Sequence, residues 1–286
     1  MQINETQATQ KKSAWRWLKR GILILFALVL ILPALLYAAF AVISSLSRPA
    51  DPQAAKKLGD KLLTLHNKII VVVSAHPDDV DYWASGTLAR LHRNGNKIIM
   101  VLGTSGEKGA DIPNLGKIRE GQQLKAAKIV GYDKVIFLRH PDRGLKSDSE
   151  FKSELRSIFK QYQPDLLFTF DIEKEAVIYR HSDHEAAGTA AHAVAPAFES
   201  IKDIYQFHTS APNVIVDVTS VADVKSRAME AHAYRQEQNN GLIGLLGFFF
   251  RLFGRGDRRR FGADNSFEKS LGVKYAEVLR VVPNRQ

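Results

Sequence analysis

The sequence predicts an α/β fold: a Rossmann-like, mainly parallel sheet flanked by helices and preceded by an N-terminal transmembrane helix. Three observations carry this expectation. Short β-branched and aliphatic runs alternate with amphipathic stretches at the spacing of strand–helix units. Polar clusters follow the apolar runs directly, where the carboxyl ends of parallel strands would lie. A stretch of 26 residues without a charge, 21–46, stands near the start of the chain.

As a helix, that stretch would be about 39 Å long, enough to cross a hydrocarbon core of about 30 Å. Trp15 and Trp17 precede it, where interfacial aromatics are expected, and Pro33 lies inside it, which a membrane helix tolerates. A cleaved signal peptide is the competing reading, favoured by the small residues around 38–41. The run exceeds the roughly 7–15 apolar residues of a signal sequence, which favours an uncleaved anchor. Lys11, Lys12, Arg16, Lys19 and Arg20 precede it, and only Arg48 follows closely. The positive-inside tendency then puts the N-terminus in the cytoplasm and the catalytic domain outside it, at the bacterial inner membrane for a bacterial protein.

A linker and lead-in helix over 47–67 bring the chain to its body, 68–286. Ile69–Ser74 (IIVVVS) reads as a strand buried on both faces, and Lys97–Thr104 (KIIMVLGT) as a second. Between them 84–93 reads as a helix with Leu88 and Leu91 on one side. Residues 118–130 form a helix rich in Lys, Gln and Ala that Gly131 stops. A strand at 135–138, a helix at 151–162, a strand at 165–170 after Pro164 and an Ala-rich helix at 184–194 continue the alternation. Late strands at 214–218 and 276–282 complete the sheet.

The charge balance excludes a simple reading as a nucleic-acid binder. The chain has 40 Lys and Arg against 30 Asp and Glu, a net of +10. Residues 1–48 hold a net of +5 and residues 251–260 a net of +4, which leaves +1 for the rest. No basic groove spreads over the body, so nucleic acid is not an expected partner. With no cysteine, thiolate metal sites, disulfides and a Cys nucleophile are excluded.

Three polar clusters fall at expected strand ends: Ala75-His76-Pro77-Asp78-Asp79, Thr104-Ser105-Gly106-Glu107, and Tyr179-Arg180-His181-Ser182-Asp183-His184. His76 and Asp79 are three apart and converge if helix begins after Pro77. His184 supplies a third ligand from the start of its own helix. Two imidazoles and one carboxylate leave a fourth position on zinc for water, the open arrangement of a catalytic site. Asp78, next to a ligand but pointing elsewhere, is placed to take that water's proton. The bland alternative makes Asp78 and Asp79 helix caps and His181 and His184 surface residues. Two such clusters at strand ends of one α/β chain favour the metal site. The remaining histidines (His66, His92, His140, His192, His208 and His232) read as structural or exposed. Ser74, Ser105 and Ser182 lie in no G-x-S-x-G turn and read as structural or binding groups.

On these residues the sequence resembles the zinc-dependent N-acetylglucosaminyl deacetylases of the PIG-L/LmbE type, from about residue 68 to 191. The resemblance rests on AHPDD at 75–79, supported by Ser-Gly-Glu at 105–107 and HSDH at 181–184. It implies that His76, Asp79 and His184 bind zinc (Zn2+) and that Asp78 is the general base. It implies that His181 stabilises the oxyanion or protonates the leaving amine, with Asp183 as its orienter. Tyr179 matches a tyrosine that contacts the reacting carbonyl in some members. Arg119, Asp142 and Glu107 match substrate-binding positions. Ser182 stands where many members have proline, and His232-Ala233-Tyr234-Arg235-Gln236 replaces the usual His-x-Ser-Gln.

Residues 241–253 (GLIGLLGFFFRLF), followed by GRGDRRR, are too short to span a bilayer but have the composition of an interfacial segment. A helix buried against the sheet is the alternative. With the anchor at 21–46, a lipid contact over 241–260 would favour a lipid-linked substrate. The expectation is therefore a membrane-anchored, zinc-dependent hydrolase that deacetylates an N-acetylated amino sugar, plausibly a glycolipid. Hydrolysis of another small amide conjugate and a non-catalytic, membrane-tethered carbohydrate-binding protein are the alternatives.

Overall fold

A computed structural model describes residues 15–24, 26, 27, 31, 35, 48–176, 180–232 and 267–284. The chain divides into two compact units, Met1–Arg48 and Pro49–Gln286.

The first unit corrects the sequence expectation. Residues 15–24 are helical and include Arg16, Lys19 and Arg20. The described residues 26, 27, 31 and 35 beyond them are helical as well. Among the described residues no helix is long and apolar enough to cross a membrane. The transmembrane helix expected over 21–46 is thus not found: residues 21–24, 26, 27, 31 and 35 of it are described, and the rest lies outside the described residues. The single-pass topology, the extracytoplasmic catalytic domain and the membrane-anchored activity rested on that helix and fall with it. The second expected lipid contact, 241–260, lies wholly outside the described residues, so no membrane-lipid partner and no preference for a glycolipid is supported.

The second unit is the α/β body. Its elements are α1 (Pro52–Leu62), β1 (Ile69–Ser74), α2 (Asp79–Trp83), α3 (Ser85–Arg93), β2 (Lys97–Thr104), α4 (Leu115–Val130), β3 (Lys134–His140), α5 (Ser149–Tyr162), β4 (Leu166–Phe170), α6 (Ser182–Val194), β5 (Asp203–Phe207), β6 (Val214–Asp217), α7 (Ala222–Glu230), α8 (Glu268–Leu271) and β7 (Ala276–Pro283). The sheet runs β3-β2-β1-β4-β5-β7-β6. The first five strands are parallel neighbours, and β7 pairs antiparallel with both β5 and β6. Strand order reverses where β1 pairs with β4, so the loops leaving those two strands diverge and open a crevice between them.

Local chemistry explains why the elements form. In β1, Ile70, Val71, Val72 and Val73 are fully buried, as a two-faced parallel strand requires. Asp51 caps α1 by accepting from the Gln53 and Ala54 amides, and Asp148 caps α5 by accepting from Phe151. Gly131, at φ 99°, ends α4 in the left-handed conformation glycine adopts freely. The buried face of α6 is Ala187, Gly188, Ala190 and Ala191. An added Cβ on Gly188 would lie 2.6 Å from Ile172 and 3.0 Å from the Phe170 carbonyl, so α6 packs directly onto the end of β4. That close approach fixes where the first turn of α6 delivers its polar residues.

Beyond β4, Asp171 organises the start of the loop that leads to α6. Its carboxylate is buried and takes a two-pronged contact from Arg280 of β7, at 2.7 and 3.0 Å. It also accepts from Thr209 and from the Glu173 and Lys174 amides. Burial alone would raise its pKa, but Arg280, Thr209 and the Lys174 amide outweigh burial and hold it below the usual carboxylate value. A carboxylate with a depressed folded pKa stabilises above its unfolded value of about 3.9 and loses that contribution as pH falls through the folded value. Asp171→Asn should therefore cost about 3 kcal/mol at pH 7. Urea unfolding should show the gap from the native protein narrowing below pH of about 4. A gap independent of pH contradicts this account.

Candidate active site

The crevice is furnished from the residue types that leave β1 and β4. After β1 the chain turns at Ala75-His76-Pro77, and α2 begins at Asp79. The His76 amide donates to Asp79 Oδ2 at 2.9 Å, and the His76 ring brings Nδ1 to 3.2 Å from the same oxygen. From the other side, His184 in the first turn of α6 lies stacked on Phe170, the last residue of β4, with ring centroids 4.1 Å apart and planes within 11°. Its Nε2 is 3.4 Å from Asp79 Oδ1. One buried carboxylate thus stands between two imidazoles, one oxygen facing each ring.

Electrostatics follow from that arrangement. Burial would raise the Asp79 pKa, but His184 and His76 hold it well below the usual range. Burial would lower the His76 pKa, but Asp79, Asp142 and Asp183 outweigh it and raise the imidazole well above 6.5. The far nitrogen of His76 is as crowded as the near one: Nε2 lies 3.1 Å from Asp183 Oδ2 and 3.2 Å from Asp142 Oδ1. Both carboxylates are held in turn. Asp183 Oδ2 accepts from the Arg143 amide at 2.7 Å and Asp142 Oδ2 from the Lys108 amide at 2.8 Å. Asp142, pulled down to about 2 against the effect of burial by His76 and by the Lys108 amide, stays ionised. His181 caps α6, its Nδ1 accepting from the Asp183 amide at 3.2 Å. Burial and the charge of His76 lower its pKa.

Asp78 sits on strained backbone, φ 91° and ψ −24°, a region that costs a non-glycine residue about 1–3 kcal/mol. Three contacts hold it there. Its amide donates to Gln123 Oε1 at 3.0 Å. Arg119 Nη2 donates to the Pro77 carbonyl at 2.6 Å and lies 3.4 Å from Asp78 Oδ1. Arg119 Nη1 reaches the Gly106 carbonyl at 2.8 Å, and an added Cβ on Gly106 would collide with the guanidinium, so glycine is required there. Gln123 is anchored by a buried polar network. Its Nε2 donates to Asp81 Oδ2 at 2.7 Å, and Asp81 also binds Tyr132 Oη at 2.8 Å and His232 Nε2 at 2.8 Å. Lys225 Nζ donates to the Tyr82 carbonyl and to Glu277 Oε1, each at 2.6 Å. Burial first, and Asp81 next, push the Tyr132 pKa well above its ordinary value, so this hydroxyl is a fixed donor.

His76, Asp78, Asp79, Arg119, Asp142, His181 and His184 border one cleft of about 330 Å³, with Tyr82, Trp83, Arg143 and Arg180 among the others on its wall. Asp183 lies beside the wall, fully buried, and is nearer to His76 than to His181, whose Nδ1 is 4.0 Å away. Glu107 does not border the cleft; its Oε1 accepts from the Asp142 amide at 2.8 Å. Tyr179 lies outside the described residues. Among the described residues three groups bring ligand-type atoms within 4.8 Å of one another, as a metal site requires: His76 with His181 and His184, His76 with Asp142 and Asp183, and Glu175 with His184 and His208. The trio expected from the sequence, His76, Asp79 and His184, is not one of these groups, although Asp79 stands between the two imidazoles. The donor set fits a divalent ion. The imidazole–carboxylate separations at Asp79, 3.2 and 3.4 Å, exceed the roughly 2.7–2.9 Å of a good charge-assisted hydrogen bond. The buried Nδ1 of His184 and Oδ1 of Asp183 make no hydrogen bond.

Gln123, Asp81, Tyr132, Lys225, Glu277 and Glu175 carry no expectation from the sequence, and His208, expected to be structural or exposed, is buried beside Glu175 and His184. A signal for Gln123 exists: it lies one turn beyond Arg119 on the buried side of α4. Nothing local marks Glu277, 191 residues from the Gly86 amide it accepts from.

Residues 71–195 match the model of the PIG-L family, GlcNAc-PI de-N-acetylase. The diacetylchitobiose deacetylase of Thermococcus kodakarensis is 26% identical over 76% of this chain and 84% of its own length. The deacetylase YaiS of Escherichia coli is 33% identical over 46% of this chain and 71% of its own. The structure of an N,N'-diacetylchitobiose deacetylase from Pyrococcus horikoshii, 24% identical, superimposes with a TM-score of 0.62 over 80% of this chain and 91% of that one, which establishes the fold. The chain belongs to the PIG-L family of de-N-acetylases and is an amide hydrolase.

Replacing Gln123 by methionine tests the scaffold under Asp78. It strands the Asp78 amide and one bond of the Asp81 carboxylate at roughly 1–3 kcal/mol each, so urea melts should show a loss of about 3 kcal/mol. A loss below about 0.5 kcal/mol, the size of an ordinary surface change, contradicts the network.

Proposed function

We propose that the protein removes the acetyl group from an N-acetylated amino sugar, using zinc held by His76, Asp79 and His184. The observation that carries this reading is the Asp79 carboxylate set between two imidazoles, with Asp78 on the wall of the same cleft. Two nitrogens and one oxygen suit a catalytic zinc with one open position. When bound, zinc supplies Lewis acidity and lowers the pKa of water to about 7.

The chain's own groups do the rest. His76 would hold zinc as a neutral imidazole through Nδ1, with its Nε2–H donated toward Asp183 and Asp142. Asp78 takes a proton from the attacking water, and the resulting oxygen adds to the acetyl carbonyl. His181 donates a ring N–H to the carbonyl oxygen as that oxygen gains charge. Asp78 then returns its proton to the sugar nitrogen as the C–N bond breaks, releasing acetate and a free amine. No acyl-enzyme forms. Arg119 fixes the Asp78 carboxylate, and Trp83 and Tyr82 on the cleft wall give the sugar ring apolar surface to pack against. Asp142 orders the cleft through His76, and Glu107 acts through Asp142. For Tyr179 the role remains the one the family resemblance implies, contact with the reacting carbonyl.

The test is amine release from N-acetylglucosamine and its disaccharide. Asp78→Asn should keep one zinc per chain while turnover falls by about 10²–10⁴-fold. Chelation should abolish turnover of the native protein, and added zinc should restore it. Undiminished turnover by Asp78→Asn, or by the metal-free protein, refutes the proposal.

A further inference from the structure

His184 has one ring nitrogen accounted for and one not. Nε2 faces Asp79, and Nδ1 is buried and makes no hydrogen bond. Stacking flat against Phe170 fixes the plane of the ring. The histidine on the opposite side of Asp79 is treated differently: the far nitrogen of His76 meets two carboxylates. A metal-binding imidazole needs such a partner, because the acceptor at the far nitrogen fixes the tautomer and makes the near nitrogen a better donor.

One carboxylate is within reach of that role. Glu175, His184 and His208 bring their ligand-type atoms within 4.8 Å of one another. Glu175 Oε1 is buried and, like His184 Nδ1, makes no hydrogen bond, while Oε2 is already committed to Arg180 at 2.8 Å. His208 Nδ1 lies 3.8 Å from Oε1, and the His208 ring is clamped by Trp83 at 4.8 Å between centroids. The loop that carries Glu175 is tied down by Asp171, by a bridge from Glu175 to Thr209 and by the Ala176 amide donating to the His208 carbonyl. A buried carboxylate oxygen and a buried imidazole N–H that close together, each without another bond, cost several kcal/mol apart and almost nothing when joined.

We propose that Glu175 is the positioning residue for His184: its Oε1 accepts the Nδ1–H of His184, directly or through one water shared with His208, and so presents Nε2 to the zinc. This rests on the zinc reading above and extends it to residues outside the sequence motifs. Glu175 touches neither substrate nor metal; it acts through His184.

The experiment is zinc binding to the metal-free protein, by competition with a chromogenic chelator, alongside its melting curve. Glu175→Gln should weaken zinc binding by about 10–100-fold with melting of the metal-free form unchanged. Glu175→Asp, which keeps the charge, should recover part of the loss, and serves where the glutamine variant melts early. Arg180→Gln removes only the other contact of Glu175, so it should bind zinc within about twofold of the native protein. Native zinc affinity in Glu175→Gln overturns the proposal. So does a stoichiometry of two zinc ions with one lost in Glu175→Gln, which would make Glu175 a ligand instead. Failure of the native protein to bind zinc would defeat the parent reading, whereas binding by the native protein and Glu175→Gln alike defeats only this one.

Discussion

The structure turns on one carboxylate held out of water between two imidazoles. Asp79 is buried with His76 on one oxygen and His184 on the other, and those rings come from loops more than 100 residues apart. A buried charge of this kind is stable only when its partners are fixed. Much of the body can be understood as the means of fixing them. The β1–β4 pairing sets the two loops side by side, and the alanine and glycine face of α6 lets its first turn press against the end of β4. Phe170 holds the His184 ring, while Asp183 and Asp142 hold the far side of His76.

The second constraint is strain. Asp78 occupies left-handed backbone that a non-glycine residue avoids, and the neighbouring structure over-determines it. Gln123 takes the Asp78 amide, Arg119 takes the Pro77 carbonyl, and Asp81, Tyr132 and His232 lock Gln123. The effect is to turn two adjacent aspartates in different directions, Asp79 toward the imidazoles and Asp78 along the cleft wall toward Arg119. Adjacent residues on a regular helix or strand would not divide in this way while staying in one pocket.

How much of this is legible in the linear chain depends on distance along it. The strands β1 and β2 and the helix that ends at Gly131 carry their own hydrophobic pattern and stop signals, and they form where that pattern says. β5 (DIYQF) is missed because polar and apolar residues interleave over only five positions, and Gln206 is buried through tertiary contacts. AHPDD and HSDH are contiguous, so both announce themselves, and the cleft contains His76, Asp78, Asp79, His181 and His184 together. The supporting groups are scattered: Gln123 is 45 residues from the amide it accepts, and Lys225 is 144 from Asp81. No local pattern can encode such a pair. The membrane expectation failed for another reason. An uncharged run establishes hydrophobicity, but spanning requires a continuous helix, and the described residues contain none of sufficient length.

The account is tested most directly by anomalous scattering at the zinc edge from a crystal of the zinc-loaded protein. It predicts a single peak within about 2.0–2.2 Å of His76 Nδ1, an Asp79 oxygen and His184 Nε2. A peak on the other face of His76, between Nε2, Asp142 and Asp183, or no ordered zinc at all, would contradict it.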